Sequence, residues 1–119
     1  MNIYDLTTLL TEEFGQDKVF YHHVFVQEGQ ELSVPYIVTN VEYLNPFWAD
    51  NKNYYLAVNN TVTLHMERFD LALMDRLEKV FNDNEISFSR DNDWDEEQEL
   101  FIATYTVELD EVEEEEDDG

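Results

Sequence analysis

The excess of acidic residues is the feature that most limits what this chain can fold into. Among its 119 residues, 29 are Asp or Glu and 6 are Lys or Arg, which gives a formal net charge of −23 at pH 7. A chain so charged stays disordered unless it has enough apolar residues to form a core. Here 43% of the residues are apolar and 14% are aromatic, so we expect one folded domain of ordinary size.

The acids are unevenly distributed along the chain. Residues 108–119 hold nine acids and no base, whereas residues 1–107 hold 20 acids and 6 bases. A second cluster places six acids within nine residues, at Asp91, Asp93, Asp95, Glu96, Glu97 and Glu99. We therefore expect a mildly anionic domain over residues 1–109 and a disordered acidic tail over residues 110–119.

Composition argues against several functional classes. A protein that neutralises nucleic-acid phosphates needs a basic face, and so does one that binds an anionic membrane surface. The chain has no cysteine, so disulfide bonds, thiolate zinc sites and cysteine nucleophiles are excluded. No apolar stretch approaches the roughly 20 residues that span a bilayer, and Met1–Asp5 lacks the features of a signal peptide. We expect a protein that is cytosolic when it is synthesised.

Two segments have apolar residues three and four positions apart, the spacing of amphipathic helices. The first is predicted to end at Gly15, where a left-handed cap is common. The second begins at Asp70, a good N-cap residue, and ends at residues 82–84; its polar side carries Asp75 and Lys79 as an i,i+4 pair. The apolar positions are Ile3, Leu6, Leu9, Leu10 and Phe14 in the first helix, and Leu73, Met74, Leu77, Val80 and Phe81 in the second.

Five other segments are predicted to be strands, because they alternate in polarity or are rich in β-branched and aromatic residues. They are residues 18–27, 35–44, 61–67, 86–90 and 101–109. The first is apolar on both faces and is predicted to be covered. In the third, Val62, Leu64 and Met66 are predicted to face the core and His65 to face away from it. The acidic cluster around Trp94 is predicted to be a turn.

The resulting element order is α-β-β-β-α-β-β. Two helices interspersed among about five strands predict a single α+β domain, with one mainly antiparallel sheet and the helices on one face.

One acidic stretch partly matches a metal-binding motif. Asp91, Asp93 and Asp95 occupy the first three ligand positions of a calcium loop. The match then fails, because Glu96 stands where the loop needs glycine and Ile102 where it needs a bidentate glutamate. A solvated acidic turn is the favoured interpretation, and weak divalent-cation binding stays open as an alternative.

No pattern in the sequence predicts catalysis. His22 and His23 are adjacent, so on a strand they point to opposite faces and cannot chelate one ion together. Ser33, Ser87 and Ser89 lie in no nucleophile motif, and three isolated glycines cannot form a phosphate-binding loop. We expect a protein that is not an enzyme and has no metal site and no cofactor.

Residues 45–56 combine turn signals with several aromatic side chains. An aromatic loop of this kind either packs back on its own domain or is buried against a partner, and the sequence leaves both possibilities open. The candidates for a contact with another subunit or with a tube are Phe47, Trp48, Asp50, Tyr54 and Tyr55.

Several segments taken in order form a recognisable series. They are the opening helix Ile3–Phe14, Val34–Val38, Phe47–Tyr55, Val62–Leu64, the helix from Asp70 to Phe81, Ile86–Phe88, and the aromatic strand Leu100–Tyr105. This series resembles the small tail-terminator or tail-completion proteins of long-tailed phages and prophages of Gram-positive bacteria. The stretch Ala49–Lys52 is its most particular part. The likeness covers residues 1–109, and the acidic tail lies outside it.

The resemblance implies a non-enzymatic virion protein, located in the phage tail and in the host cytoplasm during assembly. Members of this family are expected to form a ring of six subunits that caps the tail tube and supports head–tail joining. The implied partners are further copies of the chain, the major tail tube protein and head–tail connector proteins. An acidic channel would suit such a ring, because lysines and arginines facing the lumen would bind phosphates and retard DNA.

A second function is compatible with the same charge. Small acidic proteins can act as DNA mimics, which inhibit a host nuclease or DNA-binding protein by occupying its DNA-binding groove. That function requires carboxylates on a folded face rather than only on a flexible tail.

Overall fold

The fold is that of a computed structural model, which describes residues 1–22, 24, 32–44 and 57–110. Two helices and five strands follow one another in the predicted order α-β-β-β-α-β-β, so the α+β class is confirmed. Their bounds are α1 Ile3–Phe14, β1 Val19–Tyr21, β2 Tyr36–Leu44, β3 Ala57–Met66, α2 Leu71–Asp83, β4 Phe88–Asp95 and β5 Leu100–Val107.

The five strands form one sheet in the order β1-β2-β3-β5-β4. β1 pairs with β2 in parallel, and the remaining neighbours pair antiparallel. The register places Ile37 opposite Leu64, and Leu64 opposite Ala103. Because side chains alternate between the two faces of a strand, this row marks the face that the helices cover.

The core lies between this face and the two helices. The buried sheet residues alternate as predicted, so the assignment of Val62, Leu64 and Met66 to the core is confirmed. Each helix buries most of the stripe that its spacing predicts, and both stripes join one cluster with the sheet; Leu9 is only partly buried and lies outside the cluster. The buried helix residues are Ile3, Leu6 and Leu10 in α1, and Met74, Leu77 and Phe81 in α2.

Local hydrogen bonds fix where the helices begin and end. Asp70 is the N-cap of α2, as predicted, and its carboxylate accepts a hydrogen bond from Leu73 N–H at 3.1 Å. Asn2 caps α1 in a reciprocal capping box with Asp5. Gly15 ends α1 at a φ of 109°, which favours glycine. Its ψ of 149° is extended, however, so the expected left-handed helical cap does not form.

The acidic cluster is the largest departure from the prediction. Residues 91–95 are not a turn but the second half of β4, and the turn comprises only residues 96–99. Pairing of Asp95 with Leu100 closes the hairpin. The carboxylate of Asp95 then accepts hydrogen bonds from the N–H groups of Glu97 and Gln98. Strand pairing uses the backbone, so acidic side chains do not prevent it when they project into solvent.

Two smaller predictions are also wrong. The first strand is three residues long, and it is not covered throughout, because Val19 is buried, Phe20 is partly buried and Tyr21 is exposed. It ends at Tyr21 because the next residue, His22, has a φ of 74°, outside the extended region. In α2, Lys79 forms its ion pair with Asp83 at 2.6 Å rather than with Asp75.

We predict that Asp70→Ala lowers the free energy of unfolding by about 1 kcal/mol, since it leaves an amide of the first turn of α2 without its cap. Asp75→Ala is the matched control, because it removes an exposed acid from the same helix without touching a cap. Urea unfolding of both variants measures the difference. Equal stabilities for the two variants would contradict the assignment of the cap.

Candidate functional site

The predicted contact residues Phe47, Trp48, Asp50, Tyr54 and Tyr55 lie outside the described residues, as does His23. Within the described ranges, no group of three or more His, Asp or Glu side chains is arranged to hold a metal ion. Two surfaces of unusual composition stand out instead: an acidic strand at one edge of the sheet and an exposed aromatic cluster beside it.

The acidic strand is β4. Asp91, Asp93 and Asp95 pair with Thr104, Ile102 and Leu100 of β5, whose neighbours Ala103 and Tyr105 face the core. The three carboxylates therefore share the face of the sheet that is opposite the helices. Along an extended strand, alternate side chains lie about 6.8 Å apart. They form a straight row and do not wrap around one point as the ligands of a calcium loop do.

A polar contact fixes β4 to the helix above it. The side chain of Arg90 donates a hydrogen bond from Nη1 to Oε2 of Glu78 in α2 at 2.6 Å. The hydroxyl of Tyr105 in β5 donates to the same oxygen at 2.7 Å. Tyr105 is fully buried, and burial followed by its hydrogen bond to Glu78 raises its pKa well above the usual value. The shared carboxylate thus joins α2, β4 and β5.

The aromatic cluster consists of Phe69, Trp94 and Phe101. The ring of Phe101 lies 4.4 Å from that of Phe69 and 4.6 Å from that of Trp94, centroid to centroid. Trp94 is 47% exposed and Phe69 is 38% exposed, and the nearby Leu71 is 68% exposed. Exposed apolar side chains grouped in this way form a candidate contact surface.

A cavity of about 640 Å³ adjoins the aromatic cluster. Its lining includes three charged residues, Glu67, Arg68 and Asp70. The apolar lining residues are Val34, Pro35, Met66, Phe69, Leu71 and Leu73. The cavity has the size of an ordinary ligand pocket, and its lining combines apolar side chains with these three charged residues.

The sheet face opposite the helices also carries a stacked pair, His65 and Tyr36. Their rings lie 4.4 Å apart with an interplanar angle of 11°, and Nε2 of His65 is 3.0 Å from the hydroxyl of Thr63. His65 faces away from the core as predicted, yet it is partly buried, and among the residues that the structure describes its Nδ1 has no hydrogen-bond partner. Burial lowers the pKa of His65, and the charge of Asp95 offsets part of that effect.

Sequence reasoning missed the main features of these surfaces. Glu78 carried no distinguishing signal in a chain with 29 acids. Arg90 carried a usable signal, because it alternates with Phe88 on the inward side of a strand in a chain that has only 6 bases. Phe69 and Trp94 carried no such signal. Both lie in predicted connecting segments, whose packing depends on distant parts of the chain.

Comparison with models of protein families, with curated proteins and with solved structures finds no match for this chain. Among the described residues, no helix is long and apolar enough to cross a membrane. Function is therefore inferred from the surfaces themselves and from the resemblance in the sequence.

We predict that the protein loses stability as the pH falls below about 6.5, the ordinary pKa of histidine, partly through His65. The unfolded chain binds a proton to this side chain in that range, whereas the folded chain resists doing so because its histidine pKa is lowered. His65→Phe keeps an aromatic ring next to Tyr36 and removes the titration, so the slope of stability against pH should become flatter.

The control is His22→Asn, which removes an exposed histidine at a position where Asn tolerates the positive φ. Thermal unfolding at a series of pH values from 5 to 8 measures the slopes. An unchanged slope in His65→Phe would show that His65 is not held neutral by burial.

Proposed function

We propose that this chain is a non-enzymatic structural protein of the tail-terminator type, which closes into a ring on the end of a phage tail tube. The single observation that carries the proposal is the exposed aromatic cluster with its adjoining cavity. A ring requires a heterologous contact, in which one surface of a subunit meets a different surface of the next. The cluster and cavity supply one such surface.

The end of the sheet opposite the cluster is a candidate for the other surface of this contact. Met66 ends β3 and pairs with Phe101 of the cluster, whereas Ala57 begins β3 and pairs with Leu44. The aromatic segment 45–56 leaves and rejoins the sheet at Leu44 and Ala57. A ten-residue strand spans roughly 30 Å. The aromatic cluster and the Leu44–Ala57 pair therefore lie at opposite ends of β3.

The charge distribution supports the role of the ring as a channel. The acidic residues are not confined to the C-terminal tail. An exposed row of them lies on β4, a strand that pairs with β5. Facing the lumen, such a row would repel DNA and leave it free to move, since it offers no cation to the phosphates. In the proposed ring the aromatic cluster contacts the neighbour and the acidic row lines the passage.

We predict that Leu71→Asp prevents ring formation without unfolding the domain, because this side chain is 68% exposed next to the cavity. Asn82→Asp adds the same charge to an exposed site near the other end of α2 and should leave assembly unchanged. Sedimentation velocity at high protein concentration, with and without isolated tail tubes, measures the assembly state. A wild-type chain that stays monomeric and does not associate with tubes would contradict the proposal.

The acidic row also favours a second candidate, the DNA mimic. A mimic needs carboxylates on a rigid face, and Asp91 and Asp93 lie on a strand that the Glu78 contact joins to α2. In this role the strand would occupy the DNA-binding groove of a host nuclease or DNA-binding protein.

For a mimic we predict that Asp91→Asn combined with Asp93→Asn weakens competition with duplex DNA for a host nuclease. A chain that ends at Asp110 should compete as well as the full chain, because the mimic would reside on the folded strand. Fluorescence competition at low salt measures both. Competition that depends on residues 111–119 alone, or no competition at all, would contradict the DNA-mimic function.

A further inference from the structure

In the described sheet, half of the backbone N–H and C=O groups of β4 have no strand partner. The amide of Glu108 donates to the carbonyl of Ser87 at 2.9 Å, and the register of β4 with β5 continues without a bulge to Asp95 and Leu100. In an antiparallel pair, alternate residues direct both backbone groups to the partner. Ser89, Asp91 and Asp93 thus bond to β5.

The intervening residues direct their backbone groups to the other side. The N–H and C=O groups of Arg90, Asn92 and Trp94 face the free edge, because β4 is the last strand in the sheet order. All three residues are exposed. Such an edge is a template on which another extended chain can pair.

We propose that the free edge of β4 binds an extended segment of another protein that carries Lys or Arg at every second position. A strand added beside β4 would place alternate side chains next to Asp91 and Asp93, on the face opposite the helices. Arg90 is the one base on β4, and its pairing with Glu78 keeps it from cancelling these acids. The edge is thus a backbone template with a strongly acidic side.

The same charges disfavour a second copy of this chain as the occupant. Antiparallel self-pairing centred on Asn92 would bring Asp91 of each copy opposite Asp93 of the other, and like charges directly opposite are destabilising. A basic segment would instead place opposite charges next to Asp91 and Asp93. Its other side chains would lie beside Asn92 and Trp94, so an apolar residue opposite the exposed indole completes the expected pattern. This inference does not depend on the proposed ring.

The test uses the full chain and a short synthetic peptide that alternates Lys with Val and Thr. A peptide of the same composition with its lysines in one block is the control for charge alone. Fluorescence anisotropy at low salt should show tighter binding of the alternating peptide. Asn92→Pro removes an outward N–H that β5 does not use, and it should weaken binding about tenfold or more, whereas Asn92→Thr should bind like the wild type.

Hydrogen exchange provides a readout in the unmodified chain, in case Asn92→Pro perturbs the fold. The amides of Arg90, Asn92 and Trp94 should exchange fast in the free protein and become protected when the alternating peptide binds. The amides of Ser89, Asp91 and Asp93 should be protected in both states. The proposal would be overturned if the outward amides stay unprotected, if the two peptides bind equally, or if neither binds. Wild-type binding by Asn92→Pro would also overturn it, and would indicate charge attraction alone.

Discussion

The backbone pairing of β4 with β5 is the interaction on which the surface of this protein depends. It holds a strand of mostly polar and acidic residues in extended form, which the side chains of that strand would not do by themselves. The buried hydroxyl of Tyr105 and the guanidinium of Arg90 then meet on the carboxylate of Glu78, so the hairpin is fixed to α2 as well. Without this pairing the acids would form a solvated loop with no defined direction.

The hairpin also places two different chemistries next to each other. On one face of β4 the carboxylates of Asp91 and Asp93 project into solvent, and on the other face Trp94 packs against Phe101. An acidic face suits a passage for DNA or a basic partner, and an aromatic face suits contact with another subunit. A small domain can therefore use opposite faces of the same hairpin for two purposes.

The predictable parts of the fold were those that depend on local pattern. The alternation of Val62, Leu64 and Met66 and the cap at Asp70 followed from rules that need only a few neighbouring residues. The extent of β4 did not, because it depends on the register with β5, whose paired residues lie 5 positions from Asp95 and up to 13 positions from Asp91 along the chain. The parallel pairing of β1 and the meeting of Glu78 with Tyr105 are nonlocal in the same way. The site was harder to predict than the fold, since it consists almost entirely of such nonlocal contacts.

The central claim is that the aromatic face is a subunit contact and the acidic row faces a passage. A cryo-electron microscopy map of the protein on isolated tail tubes tests it most directly. The proposed ring predicts a closed assembly in which Phe69, Leu71 and Trp94 are buried against the next subunit and Asp91 and Asp93 face the lumen. A map in which these apolar side chains are in solvent, or in which β4 faces outward, would contradict it.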